Sequence, residues 1–172
     1  MRHRCESIVM GLALAGCAGT QVLMVPAILE PPGRERLAMT VHADGVQVYE
    51  CRARKDGAGF EWTFVAPEAT LTDTAGKRTG IHGAGPYWQW NDGSRVIGTV
   101  KARADAPAPG AIPWLLLSTT NGGPEGALSK VSSIQRVNTE GGVAPADGCG
   151  PGTRSALARV AYSADYRMFA MR

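Results

Sequence analysis

Glycine and proline interrupt this chain so often that they limit which folds it can adopt. The 172 residues include 22 glycines and 11 prolines, with no low-complexity tract. Proline breaks a helix and glycine weakens one, so long helices are disfavoured. Short apolar runs bounded by turn residues favour many strands joined by turns. The sequence therefore predicts an all-β protein.

Individual strands can be assigned from alternation and turn signals. Residues 60–64 alternate so that their three aromatic side chains share one face, which is typical of a strand. Residues 87–90 and 95–103 flank Asp92-Gly93, which predicts a β-hairpin. Residues 112–117 are almost continuously apolar, so we expect a central strand that is covered on both faces.

Two further assignments complete the predicted architecture. Residues 37–42 and 46–52 read as separate strands with a turn at Asp44-Gly45, and residues 128–132 as a short helical turn. The predicted fold is an antiparallel β-sandwich or a partly closed barrel of about 8 to 10 strands. The length suits one domain, which we place at residues 37–172.

The N-terminal region has the pattern of an export signal, which we assign to residues 1–16. Arg2 and Arg4 precede an apolar run over residues 8–15, far shorter than the roughly 20 residues of a membrane-spanning helix. The run ends in Leu-Ala-Gly followed by Cys17, which resembles a bacterial lipoprotein signal. The alternative is an ordinary secretory signal with an incidental cysteine.

A lipoprotein signal implies both an anchor and an address. Cys17 becomes the first mature residue and carries acyl chains such as palmitate, so residues 17–36 form a tether to the membrane. Ala18 stands where an aspartate favours inner-membrane retention in many Gram-negative lipoproteins. We therefore expect a cell-envelope protein on the outer membrane that faces the periplasm.

The cysteine count agrees with export. Of the four cysteines, Cys5 falls in the signal and Cys17 takes the lipid, which leaves Cys51 and Cys149. An even pair in an oxidising compartment predicts a disulfide. The alternative is two separate buried thiols.

Ordered sequence blocks carry a resemblance that covers about residues 26–169. The blocks are GVQVYEC (45–51), WTF (62–64), PEA (67–69), GIH (80–82), DGS (92–94), IPWLL (112–116), IQRVNT (134–139) and YSADY (162–166). Together they resemble domain-of-unknown-function family 3455, an uncharacterised family of secreted bacterial and fungal proteins. The resemblance implies secretion, one β-rich domain and a Cys51–Cys149 pair. It implies no catalytic residue, and Trp90 departs from the expected pattern.

His82 is the first candidate for chemistry, because it lies in a glycine-rich segment, residues 80–86. A histidine held there can be a general base or a metal ligand. His42 is the other histidine of the mature chain, but neither belongs to a short metal-spacing motif. We favour the simpler interpretation that His82 hydrogen-bonds the backbone and fixes a loop.

Aromatic side chains make the second candidate, a binding face. Tyr87, Trp88 and Trp90 fall in one short segment, and exposed tryptophan can stack on sugars or other ligands. The alternative is that these rings cap the core. Arg136 and Asp165 are assigned to a structural ion pair.

These observations favour a non-enzymatic envelope lipoprotein that binds a small ligand, a glycan or a partner through His82 and residues 87–90. One alternative is a hydrolase or metal-dependent enzyme centred on His82, and another is a purely structural envelope component. No nucleotide-binding loop and no Gly-x-Ser-x-Gly motif is present, so no cofactor and no catalytic residue is predicted. The net charge of +3 comes without a basic stripe, which disfavours nucleic acid.

Overall fold

A computed structural model describes residues 24–172 of the chain, so the predicted signal and Cys17 lie outside the described residues. Short 3-10 turns occupy Ala27–Leu29 and Pro151–Thr153. Within the described residues, no helix is long and apolar enough to cross a membrane. The strands are β1 (Glu35–Ala53), β2 (Phe60–Thr72), β3 (Arg78–Gly83), β4 (Tyr87–Trp90), β5 (Arg95–Ala104), β6 (Trp114–Asn121), β7 (Val131–Gly141) and β8 (Leu157–Met171).

The eight strands form one antiparallel sheet that closes on itself. Each strand pairs with its neighbours in sequence, and β1 also pairs with β8, which completes the ring. Register shifts within several of these pairs make the ring irregular. The predicted all-β antiparallel class is confirmed, and so is the hairpin at Asp92-Gly93 that joins β4 to β5.

The predicted turn at Asp44-Gly45 is wrong, because β1 runs through it without a break. A Cβ atom at Gly45 would collide with the backbone of Glu68 and Ala69 on β2. The glycine therefore allows close approach of the two strands, which is its other common role in a sheet.

The predicted helical turn at residues 128–132 is also wrong. Leu128 lies in a hydrogen-bonded turn, where its carbonyl accepts a bond from the Val131 N–H, and β7 begins at Val131. The Leu128 side chain is fully buried in the interior of the ring, so its packing holds the turn in place.

The interior of the ring is filled by hydrophobic side chains from every strand except β3 and from two loop residues, which together form the main core. The members that lie on strands alternate with outward-facing residues, as is usual for a sheet with one buried face. The buried members are Val41, Ala43, Leu71, Trp88, Val96, Ile112, Leu117, Leu128, Val131, Ile134, Tyr162, Ala164, Tyr166 and Met168.

A second cluster lies on the outer face of the ring. Leu29, from the segment before β1, packs there against Trp114, Leu116 and Val137 and is fully buried. The Gln135 Nε2 group donates a hydrogen bond to the Leu29 carbonyl oxygen at 2.7 Å. β6 is therefore covered on both faces, as its continuous apolar sequence predicted.

The predicted disulfide is present between Cys51 on β1 and Cys149 in the loop that joins β7 to β8. The same loop is held a second time, because the Trp62 indole N–H donates to the Asp147 carbonyl oxygen at 2.9 Å. Both contacts fasten a glycine- and proline-rich loop onto the β1–β2 pair.

The outer cluster predicts that the segment before β1 contributes to stability. Leu29→Ala should lower the free energy of unfolding by about 2 to 5 kcal/mol, because it removes a fully buried side chain. Ile28→Ala is the matched control, since the neighbouring Ile28 is 64% exposed and should change stability little. Urea denaturation measures both, and equal effects would contradict the docking of Leu29.

Candidate ligand-binding cavity

Unequal strand lengths open the wall of the ring. β3 pairs with β2 only over residues 69–72 of β2, and β4 pairs with β5 only over residues 95–97 of β5. The remaining stretches, residues 60–68 and 98–104, extend past the turn that joins β3 to β4. They flank a gap in an otherwise closed sheet.

The gap leads into a cavity of about 590 Å³. Phe64 and Val65 of β2, with Val100 and Arg103 of β5, lie at its rim and are exposed. The volume falls within the range of about 300 to 1,000 Å³ that is usual for small-molecule sites. The deeper lining comprises Gln47, Tyr49, Pro67, His82, Trp88, Ile112, Pro113, Leu115, Leu117, Arg136 and Tyr166.

His82 faces this cavity from β3, not from a loop. Its ring stacks on Trp88, its partner on β4, with 4.3 Å between ring centroids. Its Nδ1 lies 2.7 Å from the Tyr87 carbonyl oxygen, and because a carbonyl only accepts, Nδ1 carries the proton and donates it. Burial lowers the pKa of His82 to about 3, so the ring is neutral near pH 7.

The aromatic residues of β4 do not form one exposed face, and this expectation is corrected. Trp88 points into the ring and is 1% exposed. Trp90 is partly buried and packs against the main core. Tyr87 alternates to the outer side, where its ring lies under the Arg95 guanidinium at 5.1 Å. Of the predicted binding residues, His82 and Trp88 line the cavity, and Tyr87 and Trp90 do not.

His42 and His82 lie on opposite sides of the sheet. His42 is on the outer face, where its Nδ1 is 2.9 Å from an Asp165 carboxylate oxygen and its Nε2 is 3.4 Å from Asp44. Within residues 24–172, no three His, Cys, Asp or Glu side chains are placed to hold a metal ion. Nor does any described carboxylate lie within 4 Å of the His82 nitrogens.

Arg136 is the site residue that sequence reasoning missed. The predicted ion pair with Asp165 is wrong, since Arg136 faces into the ring while Asp165 points outward to His42. The Nε and Nη2 groups of Arg136 donate to the Pro113 carbonyl oxygen at 3.0 and 2.8 Å. Among the described residues, no carboxylate lies within salt-bridge distance of this guanidinium.

The direction of the Arg136 side chain follows from the strand pattern once the burial of Ile134 is known. Ile134 and Arg136 are two positions apart on β7, so they share a face. Ile134 is fully buried in the interior, which directs the Arg136 side chain inward as well.

Several buried groups around the cavity have no protein partner. Gln47 Nε2, Trp88 Nε1 and the Tyr166 hydroxyl are each buried without a hydrogen bond within the described part of the chain. The Tyr162 hydroxyl is also buried without a hydrogen bond among the described residues, although it lies close to Tyr166 and Gln47. Burial raises the pKa of Tyr162 and Tyr166, so both hydroxyls keep their protons.

Fold and site together define an antiparallel β-ring that encloses a partly open, largely apolar cavity. A family model described as "Protein of unknown function (DUF3455)" matches residues 31–170, and the chain belongs to this family. The resemblance inferred from the sequence blocks is thereby confirmed. Neither the search of curated proteins nor the search of solved structures returned a match.

The buried, neutral His82 predicts a specific pH dependence of stability. The unfolded chain binds a proton at this site below its ordinary pKa of 6.5, but the folded chain does not until the pKa of about 3. The free energy of unfolding should therefore fall as the pH falls through this window, by up to about 1.4 kcal/mol per pH unit. His82→Gln should remove this contribution.

Denaturant titrations at several pH values between about 4 and 6 measure the slope in the wild-type protein and the variant. Leu71→Ala is the control, because it removes buried apolar volume without a titratable group and should lower stability at every pH equally. An identical slope in His82→Gln and wild type would contradict the assignment.

Proposed function

We propose that this protein is a non-enzymatic binding protein that holds a small, mainly apolar ligand in the cavity of the ring. The observation that supports this most directly is the combination of an apolar lining with buried hydrogen-bond donors that have no partner among residues 24–172. Ligand sites typically combine apolar walls with a few polar groups that orient the ligand.

The geometry of His82 argues against the enzymatic alternative. A general base works best when its pKa is near the working pH, and burial holds the pKa of His82 at about 3. In the described residues, its one hydrogen bond is to the Tyr87 carbonyl, so no carboxylate orients the ring as in a catalytic pair.

The stacking of Trp88 argues against a glycan as the ligand. One face of its indole is covered by His82 at 4.3 Å, and the Tyr166 ring meets it edge-on at 5.2 Å. Sugar binding by stacking needs a free aromatic face, whereas these contacts leave the ring as part of an apolar wall.

The cavity predicts that a bulky side chain at its rim blocks binding. Val100 is 51% exposed at the rim, so Val100→Trp should be tolerated and should obstruct the gap. Thr99→Trp is the matched control, because the neighbouring side chain is exposed and points to the other side of β5. We expect Val100→Trp to reduce binding of the neutral fluorescent probe N-phenyl-1-naphthylamine about tenfold or more.

Fluorescence titration and melting curves of both variants provide the readout. Folded Val100→Trp protein that binds the probe as well as wild type, or wild type that does not bind it, would contradict a ligand site in the ring.

We also propose that the domain works in the cell envelope as an outer-membrane lipoprotein anchored through Cys17 and facing the periplasm. The support is the sequence before and at this cysteine, together with the disulfide, which suits an oxidising compartment. Docking of Leu29 on the ring would leave residues 17–24 to connect the domain to the lipid.

The anchor predicts incorporation of labelled palmitate into the protein in its bacterial host. Cys17→Ser should abolish the label and release the protein from the membrane fraction, because one cysteine carries the acyl chains. Cys5→Ser is the control and should label normally. A labelled Cys17→Ser variant, or an unlabelled mature wild type, would contradict the proposal.

A further inference from the structure

We infer that the ligand is an amphipathic anion, an aliphatic carboxylate whose head group pairs with Arg136 and whose chain lies along the apolar wall toward the rim. This inference rests on the proposed function, since it assigns the chemical class of the molecule in the same cavity. It follows from three features of the lining: its charge, its hydrogen-bonding groups and the position of its apolar surface.

The charge of the cavity has one sign. Arg136 in the interior and Arg103 at the rim are its charged residues, and no Asp or Glu belongs to the lining. His82 adds no charge near neutral pH. A buried or half-buried guanidinium without a charge partner carries a desolvation penalty in free energy. A cavity of this composition therefore favours an anion over a neutral or cationic molecule.

The guanidinium of Arg136 is fixed in position and still has donors to offer. The Pro113 carbonyl takes one N–H from Nε and one from Nη2, which orients the planar group. The Pro113 carbonyl is its one hydrogen-bond acceptor in the described structure, and the Tyr166 hydroxyl lies beside the group, so the remaining N–H groups can meet a further acceptor. Two parallel N–H groups on one guanidinium match the two oxygens of a carboxylate.

Other residues that line the cavity carry buried donors that make no hydrogen bond among the described residues. The Gln47 amide nitrogen and the Trp88 indole nitrogen donate only, and the Tyr166 hydroxyl has its proton to give. An ionised carboxylate accepts without donating, so it can take a hydrogen bond from a donor of this set that turns toward the cavity. An ammonium head group offers no acceptor and would leave these donors unsatisfied.

Apolar surface lies between this donor cluster and the rim. Leu115 and Leu117 of β6 line one wall, and Phe64, Val65 and Val100 stand exposed around the opening. An alkyl chain that runs outward from Arg136 would bury these groups, at about 25 cal/mol for each Å² removed from water.

Displacement of N-phenyl-1-naphthylamine from the purified protein tests the head group with matched competitors. Decanoate, decanol and decyltrimethylammonium share one chain and differ in head-group charge. We expect decanoate to bind about tenfold or more tighter than decanol, and the cation to bind most weakly. Arg136→Gln should remove the preference for decanoate over decanol, so that the two competitors bind about equally.

Tyr166→Phe is a second variant that removes one hydroxyl with little change in volume, in case Arg136→Gln does not fold. It should weaken decanoate severalfold more than it weakens decanol, since only the carboxylate gains from the hydroxyl donor. Equal binding of decanoate and decanol to wild type, or an unchanged decanoate preference in folded Arg136→Gln, would overturn the inference and leave the proposed function standing. Failure of wild type to bind the probe or any competitor would overturn both.

Discussion

The pairing of β1 with β8 is the interaction on which the rest of the structure depends. Without it the sheet would be an open meander with two free edges, and its apolar inner face would be exposed to water. These strands are far apart in sequence, so their association has to offset a large loss of chain entropy. The Cys51–Cys149 disulfide reduces that loss, because cross-linking positions 98 residues apart restricts the unfolded chain by about 4 to 5 kcal/mol in entropic models.

The cavity arises from a mismatch in strand length, and no separate binding domain is needed to form it. β1 has 19 residues and β2 has 13, whereas β3 has six and β4 has four. Two short strands between longer neighbours leave part of the wall open. Of the described residues with an unpartnered buried polar atom, Gln47, Trp88 and Tyr166 line this cavity, whereas Trp114 and Gln135 lie at the outer cluster. Closure of the ring therefore stabilises the fold, and the short strands β3 and β4 leave the opening through which the cavity is reached.

Alternation and turn chemistry were enough to predict the class of the fold, the β4–β5 hairpin and the two-sided burial of β6. They failed at Gly45, because a glycine after an aspartate reads equally well as a turn or as a point of close strand contact. They failed at Arg136 for a different reason. A charged residue in a strand is usually assigned to the solvent face, and its inward direction follows only when the burial of Ile134 is known. The contacts of Trp88 with His82 and Tyr166 join three strands, so no local pattern could predict them.

Arg136 and the gap in the wall are physically connected. A guanidinium sealed inside an apolar core would have to be paired or would destabilise the fold by several kcal/mol. Here the Pro113 carbonyl accepts hydrogen bonds from only Nε and Nη2 of Arg136. The gap keeps the other N–H groups of the guanidinium within reach of solvent or of a ligand. Extension of β3 and β4 to the length of their neighbours would close the gap and remove that access. The short strands β3 and β4 therefore allow this sequence to keep the Arg136 cation inside its ring. A molecule that brings an anionic group through the gap would supply the charge partner that residues 24–172 do not.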